Sequence, residues 1–228
     1  MAFRLLKQWL TRPTIADIAL LPPASELRKR TKIVVIDDDP DSFPTKALRD
    51  EGYTLEWWSK VDGQALSRLE RGDFDIVVLD IQGIAEPSLS DTGDGLGVLR
   101  RIKSVNQRQV VVAFSGQSYD LGSVPFWKMA DDALRKPVTI IQCKELIDRL
   151  IAKHVSVRGY WDNVRALLEQ SAVSPRRIQA LERRIVQSAQ GASAITLEQV
   201  RDIVGTIENL ETVFVWVRRI LSLCTLAF

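Results

Sequence analysis

The chain has 228 residues, 46% of them apolar and 26% charged, with a formal net charge of +2. That composition is of an ordinary soluble globular protein, and excludes disordered and collagen-like classes. A charge so near neutral gives no ground for a nucleic acid partner. With no apolar run of spanning length and no continuous apolar core near the start, neither a transmembrane helix nor a secretory signal is expected. Cys143 and Cys224 are the only cysteines, both in apolar helical patterns. They read as buried thiols of a reducing compartment, which fits a cytoplasmic protein better than a disulfide or metal framework.

Residues 1–30 precede the first strand and form an N-terminal extension. Phe3, Leu6, Trp9 and Leu10 share one helical face, and Pro13, Pro22 and Pro23 punctuate the segment. From 31 to 154 strands and helices alternate. The first strand is Lys32 to Ile36, followed by Asp37-Asp38-Asp39-Pro40, with a short helix over Phe43 to Asp50. Tyr53 to Val61 reads as a second strand and Gly63 to Arg71 as a helix stopped by Gly72. Phe74 to Ile81 holds the unbroken apolar run Ile76 to Leu79 and ends in Asp80, the pattern of a strand buried on both faces. A helix over Leu96 to Val105, a strand over Gln109 to Phe114, a weak helix near Phe126 to Ala130, a short strand over Asp132 to Arg135 and a helix over Thr139 to Lys153 complete the region. Five βα units imply an α/β fold with a doubly wound parallel sheet.

No strand-like run follows residue 155, so 155–228 reads as an all-α extension. Val157, Trp161, Val164 and Leu168 form one stripe; Ser174-Pro175 starts the next helix and Gly191 ends it. Thr196 with Gln199 fits a capping box. Val200, Ile203, Ile207, Leu210, Phe214, Val217, Leu221 and Cys224 then recur at heptad spacing. Such a seam, about 25 residues and roughly 40 Å of helix, predicts either a bundle within the chain or a homodimer or helical partner through 197–225. Arg176, Arg177, Arg183 and Arg184 repeat at seven residues as a basic, solvated stripe. His154 is read as a surface residue at a helix end.

Four strand ends carry reactive groups: Asp37-Asp38, Asp80, Ser115 and Lys136. Parallel sheets keep their chemistry at the carboxyl ends of their strands. Three carboxylates at one sheet edge repel unless a cation neutralises them, and oxygen ligands with room for water suit Mg²⁺. A nearby lysine and hydroxyl would help to share the charge of a phosphoryl group.

The stretches KIVVIDDDP, FDIVVLDI, DGLGVLRRIK, VVVAFSG and LRKP, in this order and spacing, resemble the receiver domain of two-component response regulators over about Lys32 to Lys153. The resemblance implies a five-stranded, flavodoxin-like sheet of order 2-1-3-4-5. It implies that Asp80 is the phosphoacceptor for a histidine kinase or phosphotransfer protein. Asp37 and Asp38, with Asp80 and the backbone carbonyl of Gln82, would hold Mg²⁺. Ser115 would contact the phosphoryl oxygens, Lys136 would neutralise them, and Pro137 would be the family's proline, often cis. Enzymatic activity is limited to self-phosphorylation and dephosphorylation. Three departures stand out. Ala133 occupies the position of the family's aromatic switch. The stretch Gly83 to Gly95, with Glu86, Asp91 and Asp94, is longer than the usual loop. The fourth helix is interrupted by Gly122, Ser123 and Pro125. Gln82 and Gln117 lie where receivers tune the lifetime of the phosphoryl group. Two other readings stay open. One is a receiver-like scaffold that is never phosphorylated. The other is a haloacid-dehalogenase-type hydrolase using Asp37 and Asp39, Ser115, Lys128 and the pair Asp131-Asp132.

Overall fold

The computed structural model describes residues 13–19, 22–85, 95–116, 128–191 and 194–224. The face read at Phe3 to Leu10, most of the Gly83 to Gly95 stretch with its three acids, Gln117 and most of the fourth helix lie outside them. The chain divides into two compact units, Pro23–Val155 and a second that joins the residues ahead of Pro23 to those from Ser156 onward.

The first unit carries a parallel sheet of five strands: β1 (Lys32–Ile36), β2 (Thr54–Trp58), β3 (Ile76–Asp80), β4 (Val110–Ser115) and β5 (Asp132–Arg135). Their order is β2-β1-β3-β4-β5, as the resemblance implied. β1, β3 and β4 are almost continuous runs of Val and Ile because both faces are covered. Alternation sends Val34, Ile36, Val77, Leu79, Val111 and Ala113 to one face, where Leu66, Leu69, Val98, Leu99 and Ile102 pack on them. These last come from α4 (Gly63–Glu70) and α5 (Gly95–Val105). Three more helices, α2 (Ala24–Arg30), α3 (Thr45–Asp50) and α6 (Ile140–His154), pack among themselves and on β2. Arg28 makes a two-pronged ion pair with Asp148 of α6, and the Tyr53 hydroxyl donates to the same carboxylate. β2 is shorter than Tyr53 to Val61 suggests: pairing stops at Trp58, and Val61 instead bridges to Ala85.

The second unit contains α1 (Ile15–Ile18), α7 (Val157–Gln170), α8 (Pro175–Ala189), α9 (Leu197–Val204) and α10 (Leu210–Cys224). Ser174 caps α8 ahead of a proline in its first turn, and the Thr196–Gln199 capping box opens α9. The heptad seam is not one helix. Gly205, at φ +89°, ends α9, and α10 begins at Leu210. The glycine breaks the helix where a continuous seam needed one. Val200, Leu210, Val217 and Cys224 of the seam are buried within the chain, while Ile203, Ile207, Phe214 and Leu221 keep part of their surface. Three arginines of the basic stripe, Arg176, Arg177 and Arg183, are exposed as expected, and Arg184 is half-buried. Arg177 donates to the carbonyl of Val204, and Arg184 to the carbonyl of Ala194 and to Gln199, both in or beside α9.

Cys143 and Cys224 are free, buried thiols, and burial pushes them up to about 12 and about 11. Among the described residues no helix is long and apolar enough to cross a membrane.

Candidate acidic site

The pleat decides which side chains can meet. Positions 33, 35 and 37, positions 76, 78 and 80, and positions 110, 112 and 114 share one face of the sheet. Asp37 and Asp80 therefore leave the carboxyl ends of adjacent strands on the same side. Lys136 follows β5, and its backbone N–H donates to the carbonyl of Ser115 at 2.8 Å, holding it level with the end of β4. Oxygens of Asp37, Asp38 and Asp80 come within 4.8 Å of one another. Lys136 Nζ stands 2.6 Å from Asp37 Oδ2 and 3.0 Å from Asp80 Oδ2.

Each carboxylate has a distinct environment. Asp37 is fully buried; Asp39 N–H donates to its Oδ1 at 2.9 Å and the Ser42 hydroxyl to its Oδ2 at 2.7 Å. Asp38 is exposed at the rim, where Gly83 lies so close that a Cβ there would stand 3.1 Å from Asp38 Oδ2. Asp80 is buried and takes the N–H of Ile81 on Oδ1 at 2.7 Å. Burial holds its carboxyl above the usual range, against the hydrogen bond from Lys136. Burial alone would lower the Lys136 ammonium, but its bonds to Asp37 and Asp80 together leave it raised. The pair is thus a partly buried cation between two acids.

Ser115 is buried at the end of β4, one residue beyond the register partner of Asp80. Gln82 lies in the exposed turn after β3. The Lys136–Pro137 peptide bond is cis. Gly95 opens α5 directly against the site: its N–H donates to the carbonyl of Ile81 at 2.7 Å, and a Cβ there would lie 2.0 Å from the carbonyl oxygen of Asp80. Sequence reasoning gives no site role to Ser42, Gly95 or Phe114, whose ring lies 4.7 Å from Lys136 Nζ. Only contacts between distant segments reveal them.

The donors fit Mg²⁺. All are carboxylate oxygens, one acid stands exposed, and Lys136 offsets part of the charge that remains. The hydrolase arrangement does not form. Asp132 pairs in register with Val112, near the start of β4, and Asp131 N–H donates to the carbonyl of Val111. Asp131 and Asp132 thus sit toward the amino end of the sheet, bonded to Lys103 and Arg149, away from Asp37. His154 is half-buried rather than a surface residue, its Nε2 buried without a hydrogen-bond partner.

No family model matches the chain, and no curated protein does. Among solved structures it is similar to a CheY-like response regulator receiver domain protein from Methanospirillum hungatei, with 25% identity over 54% of this chain and 94% of that one, TM-score 0.45. It is similar to the receiver domain of NtrX from Brucella abortus, with 27% identity over 53% and 98%, TM-score 0.44. A two-component response regulator from Clostridium difficile shares 22% identity over 54% and 96%, TM-score 0.43. The sheet order with its flanking helices is that of a doubly wound, flavodoxin-like fold, and a helical region follows it.

Proposed function

We propose that the chain is a response regulator in which residues 31–154 act as the receiver and 155–228 as the output. Asp80 accepts a phosphoryl group from a histidine kinase or phosphotransfer protein. The observation that carries this reading is the meeting of Asp37, Asp38, Asp80 and Lys136 at the carboxyl edge of the sheet. Lys136 bonds two of the acids while the third, Asp38, stays open to solvent, an arrangement that supports a site for a charged ligand.

In the transfer, an Asp80 oxygen bonds to phosphorus. The phosphorus–nitrogen bond of a phosphohistidine donor breaks, its electron pair returning to the imidazole. With acetyl phosphate, a phosphorus–oxygen bond breaks and acetate leaves. Lys136 meets the incoming oxygens as a point charge, and Ser115 offers a hydroxyl from the end of β4. Asp37, Asp38 and Asp80, with the carbonyl of Gln82, would hold Mg²⁺, which supplies positive charge to the phosphoryl oxygens. On this reading catalysis is confined to self-phosphorylation and to dephosphorylation, in which water takes the phosphoryl group and inorganic phosphate leaves. The reading places the protein in the cytoplasm.

The transferred group adds close to two negative charges. Only Val155 and Ser156 separate α6 from α7, which supports a signal that leaves the receiver along the chain. Ile203, Ile207, Phe214 and Leu221 are the seam side chains left to meet a helical partner or a second copy. Because Ala133 replaces the aromatic switch, that route rather than a rotating ring would carry the signal.

The test is incubation with acetyl phosphate and Mg²⁺, followed by intact mass and sizing chromatography, for wild type and Asp80→Asn. Wild type gains one phosphoryl mass and the variant none. No gain in either would leave a scaffold that is not phosphorylated.

A further inference from the structure

Phe114 is fully buried and has no role in the chemistry described so far. Its register is specific: it pairs with Asp80 on β3 and with Leu134 on β5. By the same alternation that brings Asp37 and Asp80 together, its ring leaves the sheet on their face. Lys136 Nζ stands over that ring, 4.7 Å from its centroid. The rings of Phe43 and Phe114 meet nearly at a right angle, with centroids 5.4 Å apart and planes at 85°. Phe43 follows Ser42, which holds Asp37, so one short segment braces both the acid and the ring.

We infer that Phe114, braced by Phe43, is a positioning residue that floors the Lys136 ammonium and keeps it between Asp37 and Asp80. The inference rests on the receiver reading for its consequence, but its geometry stands alone. A lysine is a flexible four-carbon stem ending in a point charge, and its two bonds to carboxylates leave the stem free to take other rotamers. Lys136 keeps 20% of its side-chain surface exposed, so water competes for it. The two carboxylates draw it from one side. The ring offers a negative π-face on another and no alternative hydrogen bond. An aliphatic side chain would fill the same core space without that face. The ammonium would then move between the acids and solvent and would meet an incoming phosphoryl group less often.

The experiment separates this role from plain core filling. Selectively labelled lysine methylene groups are followed by NMR relaxation in the full chain, with Lys136 assigned through Lys136→Arg. Phosphoryl acceptance from acetyl phosphate is measured at saturating Mg²⁺ on the same samples. In wild type the Lys136 ε-methylene is ordered and shifted upfield by the ring. Phe114→Leu makes it as mobile as the exposed lysines and slows acceptance about fivefold to tenfold, the scale of one cation–π contact. Phe114→Tyr, which keeps the π-face, retains both properties. Phe43→Leu leaves the ring but removes its brace; it gives smaller changes in the same direction and decides the matter if Phe114→Leu does not fold. A folded Phe114→Leu with an ordered Lys136 and wild-type acceptance overturns the inference. So does an unshifted, mobile Lys136 in wild type. If wild type accepts no phosphoryl group, the receiver reading fails, and the NMR measurement alone still decides the positioning role.

Discussion

Replacing Lys136 by methionine tests the site through stability rather than through phosphorylation. The substitution keeps much of the stem and removes the charge. What remains is Asp37, wholly buried, beside Asp80, buried to 6% exposure, with no cation between them. Removing one partner of a fully buried ion pair costs about 3–5 kcal/mol, because the other charge is left unpaired. Here the lysine side chain is 20% exposed, and Asp80 can take up a proton because burial already raises it. Both reduce the cost, to about 2–4 kcal/mol near neutral pH in EDTA. Magnesium should then restore stability, since it would neutralise the same oxygens by binding only the folded site. The measurement is urea unfolding by circular dichroism with EDTA and with Mg²⁺. Hydrogen exchange in β1, β3 and β4 would separate the sheet-bearing unit from the helical one. A loss below about 0.5 kcal/mol in EDTA would place the pair among ordinary surface ion pairs and refute the reasoning. A full loss that Mg²⁺ leaves unchanged would refute the assignment of these acids as metal ligands.

Asp80→Asn should act in the opposite sense. An acid held above its ordinary value of 3.8 binds its proton more tightly when folded, so it costs stability as pH rises past that value. The amide removes the cost: the variant should melt higher than wild type at pH 7 in EDTA, and lose that advantage when wild-type Asp80 is protonated at low pH. A lower melting temperature at pH 7 would contradict the buried acid. Gly95→Ala would set a Cβ 2.0 Å from the Asp80 carbonyl oxygen, a backbone atom with no room to yield. It should cost more than about 2 kcal/mol in urea unfolding and abolish phosphoryl acceptance, whereas Gly63→Ala, with nothing within 4 Å, should be neutral or slightly stabilising. Gly205→Ala meets both a φ of +89° and Arg177 Nη1 at 2.8 Å. It should destabilise the helical unit by about 1–2 kcal/mol in the same assay and leave hydrogen exchange in the sheet unchanged.

The sheet was legible because its central strands are covered on both faces. An unbroken run such as Ile76 to Leu79 leaves few alternatives once Asp75 and Asp80 bound it and Gly72 and Gly83 lie beyond. β2 is shorter than expected because the expectation reached across Ser59 and Lys60 to Val61, whereas pairing stops at Trp58, opposite the end of β1. The heptad seam failed for a related reason. Its spacing runs through Gly205 without a break, yet one backbone angle there cancels the helix. Periodicity reports which residues seek burial, not whether one helix presents them. Arg177 and Arg184 show the same limit, since a charge stripe on paper carries no sign of the carbonyls that two of its members meet.

The acids and the lysine were legible for a different reason: each ends a strand, and a parallel sheet brings all its strand ends to one edge. That rule names a rim but not the distances across it. Asp37 and Asp80 meet Lys136 because all three share one parity of the pleat, which follows from register. Parity also selects Phe114, which reads in the sequence only as the last apolar residue of its run. The residues that hold the charged groups in place are therefore those least marked by composition, a serine, two phenylalanines and a glycine that pack from separate segments. Substitutions among them would leave the acids and the lysine of the site in place. A chain could thus keep all the signature acids and lose the geometry that makes them a site. The spacing around Gly95 and the Phe43–Phe114 brace are better guides to a working acceptor than the aspartates alone.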